Sequence, residues 1–190
     1  RDSSGEWIVG HQGLATDAFA NNKFLKLFSC SSTFTNSLVF GAEPTTTVTQ
    51  IVTNGAGGAA NLTSSGTYVM YSWAEIPGFS KFGSYKGNGS STDGTFVHLG
   101  FRPAWVMIKC FSTSDHWNIS DAKRGNFNEI DEALYANNNQ VEGWNGSLDK
   151  MDFLSNGFKI RKNNSQTNAS GATYIYMAFA EQPNTTPFGT

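Results

Sequence analysis

Short runs of alternating apolar and polar residues recur along the chain, and turn-forming residues separate them. Lys23–Phe28 and Phe158–Arg161 are two such runs, and Tyr68–Pro77 is a longer one. A period of two is typical of half-buried β-strands. The Asn-Gly pairs at positions 54–55 and 156–157 are strong signals for tight turns. The pattern therefore predicts an all-β fold of many short strands.

The stretch Tyr68–Pro77 has a second copy at Tyr174–Pro183, at an offset of 174 − 68 = 106 residues. Tyr, Ala, Glu and Pro recur at the same places in both copies. Other strings repeat at similar offsets: Trp117 corresponds to Trp7, Leu134-Tyr-Ala to Leu25-Lys-Leu, and Asn156-Gly157 to Asn54-Gly55. Repeated strands joined by loops of variable length predict a duplicated β-sandwich.

The repeat divides the chain into two predicted units. We expect a first sandwich over residues 1–79, a Gly/Ser-rich connector over 80–94 and a second sandwich over 95–190. Only the second unit has a strong strand, Phe101–Lys109, ahead of its Trp. The first unit would then have an open edge that another chain or a missing segment must cover. We expect one core to contain Val69, Tyr71 and Trp73, and the other to contain Ile175, Met177 and Phe179.

Composition narrows the function classes. Charged residues make up 15% of the 190 residues, the net charge is −2, and no Lys/Arg cluster exists, so binding to nucleic acid or to an anionic membrane is not expected. No apolar run reaches the roughly 20 residues of a membrane helix. Arg1 is not a natural start, so we expect a processed or truncated N-terminus. Cys30 and Cys110 permit a disulfide but do not imply one.

Candidate catalytic groups do not form a working set. Glu129-Ile-Asp-Glu resembles the carboxylate strand of laminarinase-type glycosidases, but Glu132 has the wrong strand parity to serve as the acid. Glu75 and Glu181 occupy the same place in the two copies, which favours a scaffold role. The three histidines and two cysteines show no metal-ligand spacing. We therefore expect no enzyme, no metal and no cofactor.

One tryptophan differs in its context from the others. Trp144 lies between turn residues in Val-Glu-Gly-Trp-Asn-Gly, and with Asn145 it is a candidate carbohydrate platform. Tyr85, in the predicted connector, is a weaker candidate for ligand binding. The alternative for Trp144 is a loop that packs onto the sandwich.

Several longer strings resemble the repeat domains of tail-fibre and related structural proteins of phages, many of them marine. They are Lys81-Phe-Gly-Ser-Tyr-Lys-Gly-Asn-Gly, Gly100-Phe-Arg-Pro-Ala-Trp-Val-Met-Ile-Lys, Ser155-Asn-Gly-Phe-Lys and Tyr176-Met-Ala-Phe-Ala-Glu-Gln-Pro. The resemblance is strong over residues 66–190 and weaker over 5–65. It implies lectin-like or jelly-roll sandwich units in tandem, a place in the virion, and a homo-oligomer, most often a trimer.

The resemblance makes a phage virion module that binds a host-surface glycan or protein the leading hypothesis. A carbohydrate-active enzyme, or its accessory lectin module, is the alternative. A third interpretation is a structural spacer without a ligand. Exposed aromatic residues at one loop end would favour binding, and carboxylates that converge in a groove would favour the enzyme.

Overall fold

The computed structural model describes residues 7–14, 23–35, 39–40, 45, 51, 67–124, 127–144 and 149–182. These residues form short strands and a single 3-10 helix, Gln12–Leu14, so the predicted all-β class is confirmed. The strands are β1 (Ile8–Val9), β2 (Lys23–Lys26), β3 (Phe34–Thr35), β4 (Ser80–Lys86), β5 (Phe96–His98), β6 (Trp105–Cys110), β7 (Trp117–Asp121), β8 (Leu134–Tyr135), β9 (Met151–Leu154), β10 (Gly157–Ile160) and β11 (Thr173–Phe179).

The strands form three antiparallel sheets. Their orders are β1-β2-β3, β5-β10-β9 and β4-β11-β6-β7-β8. In the five-stranded sheet, β11 pairs with β4 on one side and with β6 on the other. β11 is therefore an interior strand whose two backbone edges are both paired.

The main core lies between the five-stranded sheet and the sheet β5-β10-β9, an arrangement consistent with a β-sandwich. Alternation directs every second side chain of β6 and β11 into this core. Each buried large side chain stabilises the fold by about 1.5–3 kcal/mol. The core residues contributed by β6 and β11 include Val106, Ile108, Tyr174, Tyr176 and the smaller Ala178; the facing sheet contributes Val97, Met151, Phe153, Phe158 and Ile160.

The opposite face of β11 is covered as well. Ile175 is buried there in a second cluster with Leu14, Leu25 and Trp117, and Val9 and Met107 pack against that cluster. Leu25 belongs to β2, so the N-terminal sheet contributes directly to the packing of the five-stranded sheet. The predicted burial of Ile175 is confirmed, whereas Met177 and Phe179 are only partly buried.

The predicted connector over residues 80–94 contains a strand. Residues 80–86 form β4, which pairs with β11 over its whole length. Gly83 obscured the strand pattern in the sequence, and the structure gives its reason. A Cβ at this position would lie 2.7 Å from the Tyr176 hydroxyl, so the Tyr176 ring occupies the space that a side chain would need.

The prediction that Val69, Tyr71 and Trp73 are buried is wrong. Residues 67–75 form no strand, and all three side chains are exposed. The alternating pattern is present, but no described strand lies beside this segment to cover it. The repeat copy differs because β4 and β6 flank it on both sides.

The hairpin-like pairings of the two halves correspond in register. The pairs of β1 with β2 shift by 110 and 109 residues onto the pairs of β7 with β8. The Leu27 amide donates to the Trp7 carbonyl, as the Ala136 amide donates to the Trp117 carbonyl. The corresponding pairs are Ile8 with Lys26 and Asn118 with Tyr135, then Val9 with Leu25 and Ile119 with Leu134.

The division into units 1–79 and 95–190 stays a prediction.

Candidate functional site

Trp144 lies on a turn with 52% of its surface exposed. The turn is closed by a hydrogen bond from the Trp144 amide to the Val141 carbonyl, at 3.1 Å. Its ring meets the ring of Tyr135 at 80°, with centroids 6.2 Å apart. An edge-to-face contact of this kind fixes the orientation of the indole while its outer surface stays in water.

Tyr135 is held in place by a buried hydrogen bond to Asp149. It is buried, and its hydroxyl donates to the carboxylate of Asp149, which also accepts from the Asn164 side chain. Burial raises the pKa of Asp149 to about 6, although the bond from Tyr135 opposes the shift. Burial also raises the pKa of Tyr135, and its bond to Asp149 adds to that rise. The support under Trp144 is thus a rigid, buried polar network.

Amide side chains surround the same corner. The side-chain nitrogens of Asn137 and Asn138 lie 3.0 and 3.3 Å from Nδ1 of His116, whose ring contacts Tyr135 at 5.5 Å. A side-chain amide nitrogen can act only as a donor, so both asparagines direct N–H groups towards this ring nitrogen. We call Trp144, Tyr135, His116, Asn137 and Asn138 the Trp144 corner. It contains one exposed aromatic ring and two amide donors, connected through Tyr135 and His116, and sugars are bound by this combination of groups.

The two other predicted ligand residues have different outcomes. Asn145 lies outside the described residues. Tyr85 belongs to β4, stacks on Tyr174 at 5.0 Å and donates its hydroxyl to the Thr167 carbonyl at 2.7 Å. Burial raises the pKa of Tyr85 well above its ordinary value. Its ring is therefore part of the core packing and not an exposed platform.

The acidic residues are engaged in ion pairs and backbone bonds. Glu129 accepts from Lys150 at 2.7 Å, and this bond lowers the pKa of Glu129. Glu75 accepts from the backbone amide of Phe82 at 3.0 Å, and Glu181 pairs with Lys123. A carboxyl group serving as a general acid needs a raised pKa, and Glu129 and Glu181 have lowered ones.

The described part of the chain offers little support for a metal site or for a small-molecule pocket. No group of three or more His, Cys, Asp or Glu side chains there could hold a metal ion. Cys30 and Cys110 are free thiols, the first exposed and the second buried. A cleft of about 200 Å³ beside Glu75, Lys81 and Phe101 is smaller than the roughly 300–1,000 Å³ typical of small-molecule sites.

The family of the chain follows from a comparison with family models. The model of DUF7483, described as a domain of unknown function, matches residues 1–183. The chain belongs to this family. One DUF7483 model thus spans both of the units predicted from the repeat. No curated protein and no solved structure matches the chain. Within the described residues, no helix of this DUF7483 chain has the length and hydrophobicity of a membrane-spanning segment.

A second exposed surface of the DUF7483 fold escaped the sequence analysis. Trp7, Tyr71 and Trp73 stack in a row with centroids 6.0 and 6.2 Å apart, and all three are exposed. We call these residues the aromatic strip. Alternation in Tyr68–Pro77 predicted the shared face of Tyr71 and Trp73, but it suggested a core. The Asp149 network had no visible signal, because a single Asp before a short strand is ordinary.

Proposed function

We propose that the protein is a structural module of a phage virion, a tail-fibre or decoration component, that contributes to recognition of the host surface. Its binding point is the Trp144 corner, and its ligand is a glycan. The observation that carries the proposal is the exposed Trp144 ring held edge-on by buried Tyr135. The virion context rests on the resemblance of four sequence strings, among them Gly100-Phe-Arg-Pro-Ala-Trp-Val-Met-Ile-Lys.

The chemistry of the corner matches a sugar ring better than a protein surface. A pyranose presents apolar C–H groups on one face and hydroxyls around its edge. The indole of Trp144 would accept the apolar face. The amides of Asn137 and Asn138 would bond the hydroxyls, since each amide nitrogen uses only one of its two protons at His116.

The wider arrangement in this proposal is a pair of related jelly-roll or lectin-like units that assemble, as a trimer, with other virion subunits. The equal registers of the β1–β2 and β7–β8 pairings support the duplication. In this proposal the protein has no catalytic activity, which agrees with the lowered pKa of Glu129 and its bond to Lys150.

A carbohydrate-active enzyme remains the second candidate because of Asp149. A carboxyl with a pKa of about 6 beneath an exposed aromatic ring is a feature of acid–base catalysts. However, Asp149 is only 1% exposed, and both of its oxygens accept hydrogen bonds. Its geometry suits a support for Tyr135 better than a proton donor to substrate.

The test is an array of host-surface glycans probed with the full chain, followed by adsorption to host cells. We expect Trp144→Ala to weaken glycan binding at least about tenfold, as loss of an aromatic anchor does. Trp73→Ala is the matched control, because it removes an equally exposed tryptophan, at 57% against 52%, away from the corner.

Equal binding by the wild type and Trp144→Ala would contradict the assignment of the corner. Absence of binding to every host glycan would favour the spacer interpretation. Release of reducing sugar ends, lost in Asp149→Asn, would favour the enzyme.

A further inference from the structure

Residues 69–73 form no strand and pair with no strand among the described residues. The backbone groups of Val69–Trp73 make no hydrogen bond in the described structure. Their large side chains are exposed, with Val69 at 58% and Met70 at 57%. Unpaired strand edges and a contiguous apolar surface are both features of an interaction site.

The repeat copy of this segment shows which neighbours the sequence is suited to. Val69–Trp73 corresponds to residues 175–179 of β11, which lie between β4 and β6. The odd-numbered residues of β11 bond towards β6, because Ala104 and Phe111 donate to the carbonyls of Phe179 and Thr173. By correspondence, the backbone groups of Val69, Tyr71 and Trp73 are directed to one edge, and those of Met70 and Ser72 to the other.

The N-terminal sheet has a matching unpaired edge. β1 corresponds in register to β7, and β7 pairs with β8 on one side and with β6 on the other. β1 pairs only with β2 among the described strands. Both the free edge of β1 and the free edge of 69–73 thus correspond to edges that β6 occupies in the second half.

The aromatic strip spans the place between these edges. In the second half, β6 lies between two strands. Met107 pairs with Met177 of β11, and Lys109 pairs with Trp117 of β7. Trp117 and Met177 correspond to Trp7 and Tyr71. In the first half the rings of these two residues stack with centroids 6.0 Å apart, and no described strand pairs with both segments. A strand inserted between the segments would hold their two backbones roughly 9–10 Å apart.

We propose that the gap between β1 and residues 69–73 accepts one β-strand from another polypeptide. The partner strand has the chemistry of β6, with apolar residues at successive positions so that both of its faces can be buried. The β6 register places its counterpart of Met107 between Val9 and Tyr71. Main-chain hydrogen bonds on both sides hold the strand, and the aromatic strip packs over one face of it.

A peptide with the sequence of residues 102–109 is the probe, labelled with fluorescein and titrated with the full chain. We expect saturable binding by fluorescence anisotropy. The same peptide with Met107→Pro should bind at least about tenfold more weakly, because proline removes a ladder donor and fits poorly inside a paired strand. Hydrogen exchange should slow at the amides of Val69, Tyr71 and Trp73 when the peptide binds.

Two proline variants of the protein separate strand pairing from apolar contact. Val69→Pro removes an amide directed to the gap, whereas Met70→Pro removes one directed away from it. Both keep the three rings of the aromatic strip, and both sites are equally exposed. We expect Val69→Pro to weaken peptide binding about tenfold and Met70→Pro to leave it within about twofold. Equal thermal midpoints of the two variants would exclude a folding defect.

Three results would overturn the proposal. The first is no saturable binding of the peptide to the wild type. The second is equal behaviour of Val69→Pro and Met70→Pro, which would mean that the rings alone make the contact. The third is self-association that excess peptide does not displace, which would assign the aromatic strip to a second copy of this chain.

Discussion

The carboxyl group of Asp149 is almost fully buried. Burial raises its pKa from 3.8 to about 6, so the folded state holds the proton more tightly than the unfolded state. The resulting stability is present below pH 3.8 and is lost as the pH rises towards 6, by about 3 kcal/mol at most. We expect Asp149→Asn to lose this dependence, so that its stability falls more on acidification than that of the wild type. Urea unfolding at pH 4 and 6.5 measures the difference.

His11 produces the opposite dependence in an overlapping range. It accepts from the Gly13 amide through Nδ1 and lies 3.0 Å from the Tyr176 carbonyl through Nε2. Burial lowers its pKa from 6.5 to about 4, so stability is present above 6.5 and is lost as the pH falls to 4, by about 3 kcal/mol at most. We expect His11→Gln to gain stability on acidification relative to the wild type. Parallel pH profiles of the two proteins would contradict the assignment.

The Lys109 side chain forms hydrogen bonds to two loops, one at Cys30 and one at Asp115. Its ammonium donates to the carbonyls of Cys30, Cys110 and Asp115 at 2.7–3.0 Å, and burial lowers its pKa to about 8. The lowered pKa shows that these three bonds offset only part of the cost of burying the charge. Removal of the ammonium would nevertheless leave three carbonyl groups without this donor. We expect Lys109→Met to lower the free energy of unfolding by about 2 kcal/mol and to speed hydrogen exchange around Cys30. Exposed Lys86→Met is the control, with an expected change within about 0.5 kcal/mol.

At the scale of elements, the two copies of the repeat mark the limit of what the sequence could predict. Alternation identified both Tyr68–Pro77 and Tyr174–Pro183 as strand-like, and the second forms β11. The first remains unpaired, because pairing depends on neighbouring strands that periodicity does not reveal. Alternation also could not decide which face of β11 meets the larger core. The exposed Trp144 followed from its turn residues, whereas its support by Asp149 depends on contacts distant in sequence.

At the scale of the whole molecule, the cluster that joins β2 to the five-stranded sheet predicts how the chain unfolds. Leu25 is fully buried against Trp117 and Ile175, so the N-terminal sheet and β11 share one cluster. We expect a single calorimetric transition. Leu25→Ala should move all of it down by roughly 5–15 °C, from a cavity cost of about 2–5 kcal/mol.

Two independent units would behave differently in the same experiment. The wild type would unfold in two steps, and Leu25→Ala would lower the first while leaving the second in place. Hydrogen exchange at Ile175 gives the sharper readout, because its amide lies in β11, far in sequence from the substitution. Faster exchange there in Leu25→Ala is the expected result, since removing the Leu25 side chain weakens the only described apolar cluster to which both β2 and β11 contribute.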